Sequence, residues 1–251
     1  MKARKNIHVV LAIFLLFVMA CNMSSVTTAT ETPTKTAIPP TLTKTKKPTS
    51  TPRPTATPNV AATQKYDEFN TLLEEIKSNG YISTTAGDAS EIDDFKEDWA
   101  QMNWFQSWGY GEVSSEFVFK SKFKWTTASS TPEQSGCGVI FGGQENGDYY
   151  ALFLTNQNIR FFMKRGANLY NVGKTSGSGA QAFGNPAEAD FVLAVSDQKA
   201  FVSVNGEKTL YTLSQDQTTK GVFGLSLLSG TNKDYGTRCE ATDMMLWNSN
   251  K

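Results

Sequence analysis

The sequence predicts an all-β fold, in which a sandwich of two antiparallel sheets follows one short amphipathic helix. Three observations support this fold class. Residues 135–165 hold three short apolar runs separated by turn-forming residues, which is typical of an antiparallel meander. Residues 116–125 alternate between large aromatic and lysine side chains, as a strand with one buried face does. At least nine such short strands follow one another after residue 81, at the spacing of a sandwich.

The start of the chain has the pattern of a secretion signal. A basic beginning is followed by an apolar run over residues 7–19, and Val18, Met19, Ala20 and Cys21 resemble the bacterial lipobox position by position. The run is too short to span a membrane comfortably, which favours a lipoprotein signal peptide over a plain secretory leader or an anchor helix. We therefore expect the first 20 residues to be removed, Cys21 to be lipidated, and the protein to be extracytoplasmic and anchored to the cell envelope membrane through this lipid.

Residues 22–60 predict a disordered Thr/Pro-rich linker. They include seven of the nine prolines and almost no large apolar side chain, so they cannot bury enough surface to fold. A polyproline II segment of about 40 residues at roughly 3.1 Å each would reach up to about 120 Å. Threonine beside proline is also the composition of O-glycosylated stalks, and the sequence does not decide between a glycosylated and an unmodified spacer.

Residues 61–80 predict an amphipathic helix, which precedes a β-sandwich domain over residues 81–251. Apolar residues recur at helical spacing, and Asn79-Gly80 provides a stop signal. The stripe covers only a few turns without sustained heptads, so we expect it to pack on the sandwich instead of forming a coiled coil. Its members are Tyr66, Phe69, Leu73 and Ile76, with Leu72 beside them.

Short motifs place the turns of the sandwich. A strand from Tyr81 is followed by a polar loop over residues 84–90, and residues 169–189 predict one long Gly- and Ser-rich loop. Asn205-Gly206 is a strong signal for a tight hairpin, and Asp197-Gln198 predicts another turn.

The meander separates two sets of side chains. A tight loop at Gln157-Asn158 would pair Leu154 with Phe161 and Leu152 with Met163 on the core side. The opposite side would then mix aromatic rings with cations, as a partly exposed sheet face does. These outward residues are Tyr149, Phe153, Arg160, Phe162 and Lys164.

Composition excludes several kinds of chemistry. Once the eight basic residues and the one acidic residue before Lys65 are set aside, 16 basic and 23 acidic residues remain, so the folded part is mildly acidic and has no nucleic-acid footprint. The single histidine is His8, in the leader. A mature chain without histidine has no Ser-His-Asp or Cys-His nucleophile system and no His-containing zinc or iron site of the usual kinds.

A series of short motifs follows a characteristic order over residues 91–248. They are DDF at 93–95 with Trp99, the strand 117–125, GVIF at 138–141, NGDYY at 146–150, FVSVNG at 201–206, GVFGL at 221–225, and a final strand ending at Trp247. This order resembles the concanavalin A-like lectin/glucanase jelly rolls, especially the laminin-G-like and 3-keto-disaccharide hydrolase-like domains of bacterial surface proteins. Residues 169–183 depart from the pattern.

The resemblance implies a two-sheet jelly roll with a concave sheet that receives carbohydrate in many relatives, among which are hydrolases, lectins and protein-binding modules. Glu91-Ile92-Asp93 looks like the start of the carboxylate strand of jelly-roll glucanases, whose paired carboxylates flank the glycosidic bond. Phe95 or Lys96 stands where the second glutamate is required. We therefore expect a solvated edge here and assign no catalytic residue.

Aromatic residues supply most of the ligand-binding candidates. The segment 99–110 could stack on a sugar, although large aromatic side chains in a sandwich more often belong to the core. The outward side of the meander adds further rings and a cation. The candidates are Trp104, Trp108, Tyr110, Asn103, Tyr149, Phe153, Arg160 and Phe162.

Two cysteines and several loop residues predict further features. With the leader cysteine lipidated, Cys137 and Cys239 form an even pair on predicted strands in an oxidising exterior, which favours a disulfide over two buried thiols. Several jelly-roll relatives hold Ca²⁺, and Asn146, Asp148 and Asp234 lie in loops. Their spacing is not that of a calcium site, so ordinary turn residues are favoured and no cofactor or metal is assigned.

Together these patterns predict a lipid-anchored module at the cell surface that binds carbohydrate or another envelope polymer without catalysis. Two alternatives stay open, a glycoside-active hydrolase of the 3-keto-disaccharide hydrolase type and a protein-interaction or structural domain of the envelope. The preference for binding rests on the tether, on the lack of histidine in the mature chain and on the incomplete carboxylate pattern.

Overall fold

The computed structural model describes residues 60–250, with side chains described from residue 63 onward. The signal peptide, the lipobox with Cys21 and the linker up to residue 59 lie outside the described residues, so these stay predictions. Within residues 60–250, no helix is both long and apolar enough to cross a membrane.

The described chain has one α-helix, α1 at Val60–Ser78, one short 3-10 helix at Pro132–Gln134, and fourteen strands. The strands are β1 Gly87–Glu91, β2 Phe95–Trp99, β3 Trp104–Val113, β4 Glu116–Thr127, β5 Gly136–Gly143, β6 Tyr149–Thr155, β7 Ile159–Arg165, β8 Asn168–Asn171, β9 Lys174–Ser176, β10 Ala187–Ser196, β11 Lys199–Val204, β12 Glu207–Thr212, β13 Gly221–Ser229 and β14 Thr237–Ser249.

These strands form two antiparallel sheets that pack face to face. The large sheet has eight strands in the order β1-β14-β4-β10-β11-β12-β9, with β2 also pairing β14. The small sheet has six strands in the order β3-β13-β5-β6-β7-β8. The predicted fold class, a two-sheet antiparallel jelly-roll sandwich preceded by one helix, is confirmed.

The core between the sheets is filled with aromatic rings, and β4 shows how the sequence arranges it. Phe117, Phe119, Phe123 and Trp125 are buried between the sheets, as their alternation predicts. The lysines that alternate with them point away from the core, and Lys122 and Lys124 are exposed. The outer face of this strand is therefore wet at Lys122 and Lys124, as its sequence indicates, whereas Val118 on the same face is buried.

Helix α1 covers part of the outer face of the large sheet. Its buried residues Phe69, Leu73 and Ile76 form a second apolar cluster with side chains that this sheet turns away from the core. The sheet's contribution includes Val118, Ala194, Phe201, Met245 and Trp247. The expectation that the apolar stripe packs on the sandwich is confirmed.

A buried carboxylate fastens the segment that follows α1. Glu116 is 4 % exposed. It accepts hydrogen bonds from the Ser83 backbone N–H, from Ser83 Oγ at 2.9 Å and from Ser196 Oγ at 3.0 Å. These charge-assisted bonds join the segment after α1 to β4 and β10.

The predicted disulfide is present between Cys137 and Cys239, whose Cα atoms are 5.6 Å apart. Cys137 lies on β5 of the small sheet and Cys239 on β14 of the large sheet. The bond therefore joins the two layers of the sandwich covalently.

The predicted course of residues 81–90 is wrong. Residues 81–83 form no strand, because Tyr81 stacks on Phe201 with ring centroids 4.1 Å apart and Ser83 binds Glu116. The predicted polar loop over residues 84–90 instead contains most of β1, which pairs with β14. Gly87 permits this pairing, because a Cβ there would lie 2.1 Å from the Asn248 carbonyl oxygen.

The long loop predicted over residues 169–189 is also wrong in part. It contains most of β8, which pairs with β7, and all of β9, which pairs with β12. Both are short edge strands whose residues are exposed. An exposed edge strand has no buried face, so the alternation that marks a strand is missing.

The meander hairpin differs from the prediction by one residue in its loop. Thr155 N donates to Asn158 O at 3.0 Å, so the turn residues are Asn156 and Gln157. Leu152 therefore pairs with Phe161 and Leu154 with Ile159. Since the register shifts by an even number of residues, every side chain keeps its predicted face.

Candidate functional site

The outer face of the small sheet carries an aromatic surface. Five neighbouring strands of this sheet each have one side that points away from the core, and their pairing aligns these sides. The strands are β3, β13, β5, β6 and β7. The apolar side chains on this face form a separate cluster, outside the main core. We call this surface the aromatic face and define it by Trp104, Phe105, Tyr149, Phe153 and Phe162.

The rings of the aromatic face contact one another across the sheet. Phe105 stacks on Trp104 with centroids 5.6 Å apart and an interplanar angle of 18°. Its centroid is 5.2 Å from that of Phe153, and it meets Tyr149 edge-on at 6.2 Å. Trp104 is 50 % exposed, whereas Phe153 is fully buried beneath its neighbours. The result is a continuous apolar platform whose most exposed ring is Trp104.

A glycine lets the central ring lie on the sheet. A Cβ at Gly138 of β5 would lie 2.8 Å from Phe153 Cδ1 and 2.0 Å from the Leu152 carbonyl oxygen. No side chain fits at this position without displacing its neighbours. The glycine therefore allows the Phe153 ring to cover β5.

Two cations border the aromatic face. Arg160 Nη2 donates to the Glu133 carbonyl oxygen at 3.3 Å, and Lys164 Nζ donates to the Gly147 carbonyl oxygen at 2.7 Å. Lys164 Nζ also lies 5.4 Å from the centroid of the Tyr149 ring. Burial raises the pKa of Tyr149 above its ordinary value, so its hydroxyl stays protonated at neutral pH.

Small polar side chains lie on the same face of the sheet as the rings. Ser107 and Ser226 face outward on β3 and β13, with their hydroxyls 2.9 Å apart. This outer face includes the described residues on the outer side of β13, β5, β6 and β7 and of the part of β3 that ends at Gly109. None of these residues is Asp or Glu. The surface can stack on apolar groups and donate hydrogen bonds.

The structure brings together five of the predicted ligand-binding residues. Tyr149, Phe153, Arg160 and Phe162 share the outer face of the small sheet, and the ring of Trp104, the first residue of β3, stacks on Phe105 at the edge of this face.

The other candidates from the aromatic segment point elsewhere. Trp108 packs against the main core and meets Phe95 edge-on at 5.3 Å. Tyr110 lies further along β3 and is 39 % exposed, and burial and the nearby Asp93 and Glu97 raise the pKa of its hydroxyl. Asn103 takes a left-handed backbone conformation, with φ of 56°, in the turn before β3.

Two important residues of the surface are not among the candidates from the sequence. Phe105 contacts three other rings of the aromatic face, and Leu228 of β13 is buried beneath them. Along β3, Phe105, Ser107 and Gly109 lie on the side of the strand opposite to Trp108. This period of two in the sequence indicates a strand with one side turned away from the core.

Glu91, Asp234 and the loop that holds Asn146 and Asp148 lie apart from one another. Glu91 forms an ion pair with Lys65 of α1. Asp148 accepts hydrogen bonds from Gly166 N and Asn146 Nδ2, whereas Asp234 lies beyond the opposite end of β13. Among residues 63–250, no group of three or more His, Cys, Asp or Glu side chains is arranged to hold a metal ion.

Comparisons with known proteins find solved structures in which the backbone follows a similar overall path. No family model matches the sequence, and no curated protein matches it significantly. Similar solved structures include the carbohydrate-binding module CBM66 from Bacillus subtilis, at 8 % identity and a TM-score of 0.41, covering 60 % of this chain and 99 % of that one. Sheep galectin-11 has 15 % identity and a TM-score of 0.34, with 52 % and 95 % covered.

A β-fructofuranosidase from Aspergillus kawachii has 12 % identity and a TM-score of 0.44, and the match covers 68 % of this chain. It spans only 28 % of the enzyme's own length. The neighbours thus include a carbohydrate-binding module, a galectin and a glycosidase. The strand topology of the chain itself, and not these likenesses, defines its fold class.

Proposed function

We propose that the chain is a non-catalytic binding module for carbohydrate or another envelope polymer, displayed at the cell surface on a lipid-anchored stalk. The observation that carries the proposal is the aromatic face. It is an uncovered platform of rings bordered by cations, whereas α1 packs on the outer face of the other sheet. The resemblance of the motif order to concanavalin A-like jelly rolls supports the same assignment.

Sugars suit such a surface because they are amphipathic. The C–H face of a pyranose ring stacks on an aromatic ring, and its hydroxyls pair with donors at the rim. Trp104 offers an exposed ring, and Arg160 and Lys164 each keep N–H groups beyond those used in their hydrogen bonds to backbone carbonyls. We place the sugar ring over Trp104 and Phe105.

We expect Trp104→Ala to weaken binding by about 2 kcal/mol, roughly 30-fold, because the stacking platform loses its exposed ring. The ligand is first identified by applying the full-length protein, purified in detergent, to a glycan array. Affinity for the best glycan is then measured by titration calorimetry. Tyr110→Ala is the matched control, since Tyr110 is 39 % exposed and lies on β3 beyond the stretch that carries Trp104 and Phe105.

Three outcomes would contradict this assignment. Equal losses in Trp104→Ala and Tyr110→Ala would mean that the aromatic face is not the binding surface. Release of a cleaved product from the glycan would favour the glycoside-active alternative. Absence of glycan binding together with specific capture of an envelope protein would favour the protein-interaction alternative.

The anchor is tested separately at Cys21. We expect the wild-type protein to incorporate labelled palmitate in bacterial cells and to sediment with membranes. Cys21→Ser should lose the label, because the thiol that receives the lipid is missing. Incorporation of the label into this variant would rule out Cys21 as the lipid attachment site.

A further inference from the structure

A cleft opens at the edge of the sandwich, beside the aromatic face. The segment 172–180 leaves the small sheet after β8, contributes β9 to the large sheet and returns to β7. Hydrogen bonds of 2.9 Å, from Val172 N to Phe161 O and from Ile159 N to Gly179 O, fix its two ends. Between them lies a cleft of about 810 Å³, which we call the edge cleft. Ligand sites typically have volumes of about 300–1,000 Å³.

A buried hydroxyl without a partner faces the edge cleft. Tyr211 lines the cleft and is only 2 % exposed, its ring meets Phe161 edge-on at 5.0 Å, and its hydroxyl has no hydrogen-bond partner. Burial raises the pKa of Tyr211 to about 12, so at neutral pH the hydroxyl can donate as well as accept. Such an unpaired group destabilises the free protein, and a bound ligand can satisfy it.

A glycine lies beside this hydroxyl. Gly179 has φ of +60°, and a Cβ on it would lie 3.3 Å from Tyr211 Oη and 3.2 Å from Lys174 Cδ. A larger residue would therefore crowd both side chains at this end of the cleft, where Tyr211 Oη is buried.

The walls of the edge cleft carry positive charge only. Arg160 and Lys174 line it, together with the neutral polar groups of Asn158, Asn171 and Ser178, and none of the described residues lining it is Asp or Glu. Arg160 donates to the Glu133 carbonyl and Lys174 to the Ser178 carbonyl. Each cation has further N–H donors for a ligand. An anionic ligand with hydroxyl groups matches this set.

We propose that the edge cleft binds an acidic sugar of an anionic polysaccharide. The anionic group lies between Arg160 and Lys174, and a sugar hydroxyl pairs with Tyr211 Oη. The inference rests on the proposed function, because Arg160 and Phe162 belong to both the edge cleft and the surface that includes the aromatic face. It specifies that the bound polymer is an anionic polysaccharide. Neutral parts of that polymer then lie on the rings of the aromatic face.

Paired polymers of equal backbone test the charge requirement. Polygalacturonate is compared with its fully methyl-esterified form, and dextran sulfate with dextran, using the full-length protein in titration calorimetry. We expect the charged member of at least one pair to bind at least about tenfold more tightly. The first pair reports a carboxylate ligand and the second a sulfate ligand.

Substitutions then locate the contact. Tyr211→Phe should weaken binding of the preferred polymer about tenfold without lowering the thermal midpoint, because it removes a hydroxyl that has no partner in the free protein. Lys174→Gln should reduce the preference for the charged polymer. Lys122→Gln, which removes a charge from the outer face of the large sheet, is the control and should bind as the wild type does.

Two results would overturn the inference. One is equal affinity for the charged and uncharged members of both pairs. The other is wild-type affinity in Tyr211→Phe. If Trp104→Ala still weakens glycan binding in either case, the proposed function stands and only the edge cleft is excluded. A protein that binds neither these polymers nor any arrayed glycan would overturn both.

Discussion

Replacing Cys137 and Cys239 together by alanine should lower the free energy of unfolding by about 4 to 5 kcal/mol. The two cysteines are 102 residues apart in the sequence, so the bond restricts the unfolded chain over a long loop. Both sulfurs are also buried in the core, where their loss removes packing. Urea unfolding, followed by the fluorescence of the buried Trp125 and Trp247, measures the change.

Reduction provides the matched control for this variant. The wild-type protein in strong reductant should unfold near the midpoint of the double variant, and the double variant should not respond to reductant. A loss smaller than about 1 kcal/mol would mean that packing between the sheets holds the sandwich without help from the bond.

We expect Phe69→Ala to lower the free energy of unfolding by about 3 to 5 kcal/mol. Phe69 is fully buried between α1 and the outer face of the large sheet, and its removal leaves a cavity in that apolar cluster. The same urea experiment measures the effect. Hydrogen exchange should show the largest increase in the amides of α1, because the helix depends on this contact.

Asn70→Ala is the control, because Asn70 is the exposed neighbour of Phe69 on the same helix. It should change the free energy of unfolding by less than about 0.5 kcal/mol. Equal effects of the two substitutions would contradict the docking of α1. Glycan binding should survive Phe69→Ala under conditions where the sandwich stays folded, since the aromatic face lies on the other sheet.

The sequence was informative wherever one face of an element is buried and the other is wet. On β4 the alternation of Phe and Lys predicts both the strand and its orientation, and the helical spacing of Phe69, Leu73 and Ile76 predicts the docked face of α1. The turn at Asn205-Gly206 also forms as expected, with both residues at positive φ. These signals are local, so they need no knowledge of the tertiary structure.

Features that depend on contacts between residues far apart in the sequence could not be predicted from it. The meander turn begins at Asn156 because the indole of Trp125 donates to its side-chain oxygen at 3.1 Å, while its amide nitrogen donates to the carbonyls of Phe183 and Gly184. Nothing near residue 156 in the sequence indicates these partners. The turn was therefore placed one residue too late.

The candidate surface was predicted in part for the same reason. The meander residues Tyr149, Phe153, Arg160 and Phe162 alternate along two adjacent strands, so their common face follows from the pairing. Tyr211 comes from the large sheet and meets Phe161 of β7 across the core between the two sheets. No local pattern in the sequence predicts that contact.

The inter-sheet disulfide has a mechanical consequence for an anchored protein. In the proposed arrangement, tension from a polymer held on the aromatic face must pass through the small sheet, then the large sheet, and leave through α1 toward the membrane. Cys137 lies on β5, directly beside β6 with its Tyr149 and Phe153, and Cys239 lies on β14. The bond thus adds a covalent connection between the two layers along this path.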